Sequence, residues 1–131
     1  MTAYTKFRAW DKENSRMVYP STDEVYFEVT DDGIDILDMS VEPFDDVFPH
    51  LDAVVMQSTG LKDYKDPDRD VFQGDIVEDR AGTRYTVRYS RDFCANCLFL
   101  KEDMHMMFYP NIDLTVVGNE CENPELLEVA E

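Results

Sequence analysis

From residue 6 onward, apolar side chains recur at alternate positions in short runs broken by polar clusters, a period of two rather than the helical period of about 3.6. The runs KFRAW and MVYP flank the polar DKENSR, which predicts a hairpin over Lys6 to Tyr19 with Phe7 and Trp10 anchoring its first strand. In EVYFEV-TDDG-IDILDM, Val25, Phe27 and Val29 alternate with Tyr26 and Glu28. Asp32-Gly33 then supplies a turn before Ile34 and Ile36, so a second hairpin is expected. VEPFDDVFPHLD carries prolines at 43 and 49 and forms no long helix. It reads as a linker with room for one short turn between Asp45 and Leu51, leading into AVVMQS as a buried strand.

The second half repeats the pattern. DVFQGDIVED-RAG-TRYTVRYS reads as strand, glycine-containing turn and strand, with Ile76 and Val77 facing Tyr85 and Val87. FCANCLFL, MHMMFYP and DLTVVGNE are three further strand-length runs, and many short strands at such spacing predict a small barrel. In NPELLEVAE, Asn123 has N-cap chemistry, Pro124 suits the first helical position and Glu125 falls early in the turn, which predicts a single helical turn. No internal repeat of convincing period is present.

Composition narrows the classes. At 131 residues the chain has the size of one ordinary domain, and 44% hydrophobic content is that of a folded protein. Twelve basic against 29 acidic residues give a net charge of -17, a field that repels phosphate backbones and anionic lipid; no direct nucleic-acid binding is expected. No run approaches the about eighteen apolar residues of a membrane helix, and MTAYTKFRAWDKENSR lacks the apolar core of a signal peptide. Three cysteines, an odd number, make no disulfide framework. A cytoplasmic protein with no membrane partner is expected.

The chemical candidates centre on five aspartates between Gly60 and Ile76. Placed as a calcium loop from Asp66, with Asp68 and Asp70 following, the stretch has Val71 where a glycine is needed and Val77 where a bidentate acid is needed. The expected roles are therefore structural. Gly60 ends the preceding strand in a conformation costly for a residue with a Cβ, while Gly74 and Asp75 turn the chain, the Asp75 carboxylate accepting local backbone N–H bonds. Cys94 and Cys97 have C-x2-C spacing, and His105 with Cys121 formally completes a Cys3His zinc set, although these last two lie far apart. The apolar residues around the pair, Phe93, Leu98 and Phe99, fit thiols used as small buried groups. No nucleophile elbow and no glycine cluster able to cradle a phosphate is present. The run MHMMFYP places Met104, Met106, Met107, Phe108 and Tyr109 together, either as core or as an adaptable contact surface.

Four blocks, KFRAWDKENSRMV, VMQSTGLKD, VFQGDIV and VVGNECENPELLE, resemble in order the signature blocks of the YopX protein family, found mostly in phages and prophages of bacteria, and they span nearly the whole chain. Within them Trp10, Gly60, Gly74, Asp75, Gly118, Asn123 and Pro124 are read as scaffold. YKDPDRD departs from the family's glycine-containing, lysine-bearing turn, and CANC is not part of the pattern. Both differences argue against a family-wide metal or redox site here. The resemblance implies a mainly β protein with an SH3-like barrel in its C-terminal part and a propensity to form oligomers, and it implies no enzymatic activity. The expected layout is N-terminal β-hairpins over 1–52 and the barrel with its tail over 53–131, as one compact unit.

The resulting functional expectation is a non-enzymatic, phage- or prophage-derived accessory protein without cofactor, acting in the bacterial host cytoplasm as a homo-oligomeric protein-binding module. Two alternatives differ in class. An acidic surface of this charge could mimic DNA and block a host nucleic-acid-binding enzyme. A carboxylate enzyme with a metal would use Asp63, Asp66, Asp68 and Asp70.

Overall fold

A computed structural model describes residues 6–108 and 113–127. Along them run β1 (Phe7–Asp11), β2 (Arg16–Val18), β3 (Val25–Thr30), β4 (Gly33–Asp38), β5 (Ala53–Lys62), β6 (Asp70–Phe72), β7 (Asp75–Glu78), β8 (Arg84–Ser90), β9 (Ala95–Leu100), β10 (Asp103–Met107), β11 (Thr115–Asn119) and a 3-10 turn, Pro124–Leu127. The protein is mainly β, as the alternation of apolar residues requires. The chain divides into two compact units between Met56 and Gln57, inside β5 and a few residues beyond the boundary expected from the sequence.

In the unit Lys6–Met56, β1 and β2 pair antiparallel with Ala9 opposite Val18 and Trp10 opposite Met17. The most deeply buried residues are not the expected anchors. Ala9 and Val18 are fully buried and join Val25, Ile36 and Leu51 in the core, whereas Trp10 and Phe7 are half-buried. Alternation along a strand places Ala9 and Asp11 on one face and Trp10 on the other, so the largest ring need not be the anchor. The second hairpin forms as predicted, in register from Val25 opposite Asp38 to Thr30 opposite Gly33. The expected linker contains a miniature hairpin instead of a helical turn. Phe44 and Val47 exchange both backbone hydrogen bonds (3.0 and 2.9 Å) around Asp45 and Asp46, whose φ of 50° and 62° are the positive values a type I′ turn demands and that Asp tolerates.

In the unit that begins at Gln57, five strands form an antiparallel sheet in the order β10-β9-β8-β7-β11. This sheet occupies the region where the resemblance implies an SH3-like barrel, with β10 and β11 as its edges. Val71, Val77, Tyr85, Val87, Leu98, Leu114 and Val116 form the core, and Met106 and Phe108 pack against it. β5 is longer than the predicted AVVMQS strand and is buried only at Met56. Gly60 does not end it. Ser58 pairs with Phe72 and Lys62 with Asp70, so Thr59, Gly60 and Leu61 stand opposite Val71 alone, a bulge in which Gly60 takes a φ of 82°. The single strand predicted through DVFQGDIVED is broken at Gln73-Gly74, where Gly74 has a φ of 88° and Phe72 N–H donates to the Asp75 carboxylate at 2.8 Å, as expected for Asp75.

The tail is held by two asparagines. Asn119 Oδ1 accepts from the Cys121 and Glu122 N–H groups (3.1 and 2.8 Å), and Asn123 Oδ1 accepts from Asn119 N–H (3.3 Å). The carbonyl of Asn123 receives the first bond of the 3-10 turn from Leu126 N–H at 3.0 Å, with Pro124 at its first position as predicted. The Asn123 side chain thus turns back to β11 rather than forward as a simple cap. A Cβ at Gly118 would stand 2.6 Å from Asn123 Oδ1 and 2.9 Å from Leu126 Cδ1, so Gly118 is required by close approach. Gly118→Ala should cost about 1–3 kcal/mol, read as a lowered urea midpoint with an unchanged slope, whereas Gly118→Ala combined with Asn123→Gly should recover part of the loss.

Candidate functional site

The acidic stretch is the first place to look for chemistry, and its carboxylates hold the chain's own backbone. Asp63, at the end of the TGLKD block, is buried; its Oδ1 accepts from the Lys65 and Asp66 N–H groups (2.7 and 3.0 Å) and its Oδ2 from Val116 N–H in β11 (2.8 Å). Tyr64 N–H adds a bond to Leu114 O at 3.0 Å. Asp66 Oδ1 accepts from Asp68 N–H (3.1 Å), and Asp70 pairs with Lys62 Nζ at 2.6 Å across the β5–β6 ladder. The loop is a succession of Asx turns closed by Asp63 N–H on Arg69 O (2.9 Å). Among the described residues no group of three or more His, Cys, Asp or Glu is placed to hold a metal ion.

The same device recurs at the other reversals. Asp79 Oδ1 caps the β7–β8 turn by accepting from Ala81 and Thr83 N–H (both 2.9 Å), while its Oδ2 receives the Tyr85 hydroxyl at 3.1 Å. Burial, and then the bond to Asp79, push the Tyr85 hydroxyl above its ordinary pKa of 10.0. In the other unit, Asp11 is fully buried at the β1–β2 turn, where burial raises its pKa but is outweighed by four favourable contacts. These are the Asn14 side chain (2.7 Å), the Arg16 guanidinium (3.1 Å), the Asn14 N–H (3.3 Å) and the Arg16 charge. The net effect holds the carboxyl below 3.8.

The cysteine and histidine candidates are not assembled. Cys94 lies in an exposed turn with a φ of 48°, Cys97 is fully buried in β9, where burial pushes its thiol pKa up, and Cys121 lies in the loop before the 3-10 turn. His105 is exposed in β10, its ring 5.2 Å from that of Tyr85. A buried thiol of raised pKa is a packing group, not a nucleophile.

Two concave regions belong to the unit that begins at Gln57. One, of about 400 Å³, has Tyr64, Lys65, Asp79, Arg80 and Asp113 in its walls. The Arg80 guanidinium stands 5.8 Å over the Tyr64 ring, donates to its hydroxyl at 3.3 Å and pairs with Asp113. The Tyr64 bond, then the Asp113 charge, raise its already high pKa further. The other, of about 280 Å³, lies between Leu100, Leu126 and Leu127, and Arg84 bridges its wall by bonds to Glu78 (3.0 Å) and Leu126 O (3.2 Å). The first also has Glu78 and Thr115 in its walls, whereas among the described residues no carboxylate lines the second. Exposed apolar side chains outside these two regions include Val29 and Tyr26 on the second hairpin, Phe44 and Val47 on the miniature one, and Tyr89, Met104 and Met107 on the five-stranded sheet. The run MHMMFYP is thus divided, with Met106 and Phe108 inward and Met104 and Met107 outward; Tyr109 lies outside the described residues.

This is a mainly β protein in which aspartate carboxylates close several of the turns. It belongs to the YopX family: the family's sequence profile, described as YopX protein, matches residues 6–128. Its fold is similar to the crystal structure of protein EF1440 from Enterococcus faecalis, at 24% identity over 97% of this chain and 100% of that one, with a TM-score of 0.52. It is likewise similar to the crystal structure of protein yopX from Bacillus subtilis, at 17% identity over 96% of this chain and 98% of that one, with a TM-score of 0.61. No curated protein matches the chain. Among the described residues no helix is long and apolar enough to cross a membrane.

The two kinds of aspartate should separate in stability measurements. Asp63→Asn replaces one acceptor oxygen by a donor facing a buried N–H and should cost about 2 kcal/mol in urea unfolding. Asp66→Asn with Asp68→Asn keeps an oxygen acceptor in an exposed loop and should stay within about 0.5 kcal/mol of wild type, with or without added divalent cation.

The pH limbs follow from the shifted groups. The Asp11 carboxyl is depressed in the folded state, so its contribution is present above 3.8 and is lost as the pH falls through the lower folded value. Tyr85 is raised, so its contribution is present below 10.0 and is lost as the pH rises toward the folded value. The stability difference between wild type and Asp11→Asn, followed by the fluorescence of Trp10, should therefore shrink below pH 3.8, and that of Tyr85→Phe, followed by circular dichroism, above pH 10.0.

Proposed function

We propose that this protein is a non-enzymatic, oligomeric module that acts through protein contacts in the bacterial cytoplasm, in the phage or prophage setting that its family resemblance implies. The observation that carries the reading is the presentation of large apolar side chains at turn and hairpin tips, Phe44 at 82% exposure and Val29 at 78%. Scattered surface apolar residues are ordinary. Phe44 and Val47, however, flank a turn closed by two backbone hydrogen bonds, so they are held outward at little further entropic cost on binding. A net charge of -17 favours partners with basic surfaces.

The engagement of Asp63, Asp66 and Asp79 with backbone N–H groups supports this reading over a carboxylate enzyme. The DNA-mimic alternative is less well supported, because it needs a row of available surface carboxylates. Asp11, Asp63 and Asp75 are buried, and Asp52, Asp70, Glu78 and Glu120 are ion-paired.

Size-exclusion chromatography with light scattering should give a mass that is a multiple of 15.3 kDa and persists in high salt. A monomer at every concentration would remove the oligomeric part of the proposal. A partner recovered from the bacterial host by the wild-type protein should be lost with Phe44→Ser plus Val47→Ser, and salt-sensitive recovery of a nucleic-acid-binding enzyme that ignores those substitutions would favour the mimic instead.

A further inference from the structure

The second hairpin has one covered edge and one open edge. On β4, Ile36 O accepts from Leu51 N–H and Asp38 N–H donates to Pro49 O, both at 2.8 Å, so these two residues direct their backbone groups away from β3. Residues opposite one another in an antiparallel pair share that direction sense. Their partners Phe27 and Val25, and with them Val29, therefore direct N–H and C=O groups outward from the other edge of the hairpin. Among the described residues none of these β3 groups has a hydrogen-bond partner. An unpaired edge of this length and β propensity is a template for an added strand.

The two faces of the hairpin define what would fit. On one face Phe27 lies opposite Ile36 and Val29 opposite Ile34, and this apolar row is open at its tip, where Val29 is exposed. On the other face Glu28 lies directly opposite Asp35, next to Tyr26 and Leu37. Like charges paired across strands are destabilising, and among the described residues neither carboxylate has an ion-pair partner. A strand laid along β3 places alternate side chains on these two faces.

Resting on the protein-contact reading above, we propose that the open edge of β3 takes an extended segment of a basic partner protein as an added strand, one in which Lys or Arg alternates with β-branched residues. The cationic side chains lie against Glu28, with Asp35 one strand further on adding to the negative field, the β-branched ones lie against Val29 and Phe27, and the outward N–H and C=O groups of Val25, Phe27 and Val29 complete the ladder. A second copy fits poorly. Antiparallel self-pairing through the outward groups of Val25, Phe27 and Val29 sets Glu28 either opposite its own counterpart or diagonal to it, in a chain that already carries -17 charges.

The test uses the full chain and three acetylated octapeptides: alternating Val-Lys, alternating Val-Glu, and four Val followed by four Lys. Alternating Val-Lys should bind at least tenfold tighter than either of the others in fluorescence anisotropy and should slow amide exchange at Val25, Phe27 and Val29 by at least tenfold. Glu28→Lys with Asp35→Lys keeps the cross-strand like-charge pairing and should reverse the preference toward Val-Glu. Equal binding of the two lysine peptides, or exchange protection elsewhere, would overturn the inference by showing attraction to net charge alone. Protection of β3 on raising protein concentration without peptide would overturn it in favour of a second copy. The broader reading is judged separately: an oligomer or partner complex unaffected by the double charge reversal leaves protein contact standing and removes only the role of β3.

Discussion

The Asp63 carboxylate is the joint on which the C-terminal unit depends. One of its oxygens gathers the loop that follows it, by accepting from Lys65 and Asp66, and the other reaches Val116 in β11, far along the chain. An ionised carboxylate is costly to bury unless donors surround it, and three backbone N–H groups supply that compensation while being satisfied themselves. The bulge at Gly60 brings the chain to this point with Asp63 directed inward, and the Lys62–Asp70 pair holds the mouth of the loop. An apolar residue at 63 would strand those N–H groups, and a longer acid would displace them.

Seen this way, the abundance of aspartate is partly an answer to a construction problem. A fold of many short strands has many reversals, each leaving backbone groups that the ladder cannot satisfy. Asp11, Asp63, Asp75 and Asp79 each serve one, and Asn119 does the same before the 3-10 turn. Aspartate suits the task because its short side chain reaches N–H groups two and three residues on. The acids left on the surface, such as Glu28 and the turn residues Asp45 and Asp46, set the field that a partner meets.

Short strands, their alternation and the composition of their turns were legible in the sequence because a period of two and turn chemistry are local properties. The two hairpins, the strands β7 to β11, the closing 3-10 turn and the part played by Asp75 were all readable in this way. Which residues of β1 are most deeply buried was not. Trp10 has far more apolar surface to bury than Ala9, yet alternation gives both faces a claim, and the neighbours Val18, Val25 and Ile36 place Ala9 in the core. The turn at Gly74 was expected but not that it splits the run into two strands, and the bulge at Gly60 was missed, for a related reason: a glycine in a strand-like run is compatible with a strand end, a bulge or a turn, and the partner strand selects among them.

The sequence by itself determined that this is an acidic, mainly β chain of the YopX family, since composition, alternation and block order reside in the residues themselves. Tertiary structure decided what each acid does. Asp63 and Asp66 read identically as members of one acidic loop, but Asp63 is buried because β11 returns to place Val116 N–H beside it, whereas Asp66 stays within its own turn. Likewise Gly118 is a glycine because Asn123 and Leu126 fold back onto it, at distances a Cβ cannot share. Both roles depend on contacts between residues that the folded chain alone brings together, and no local property of the sequence encodes a distance across the fold.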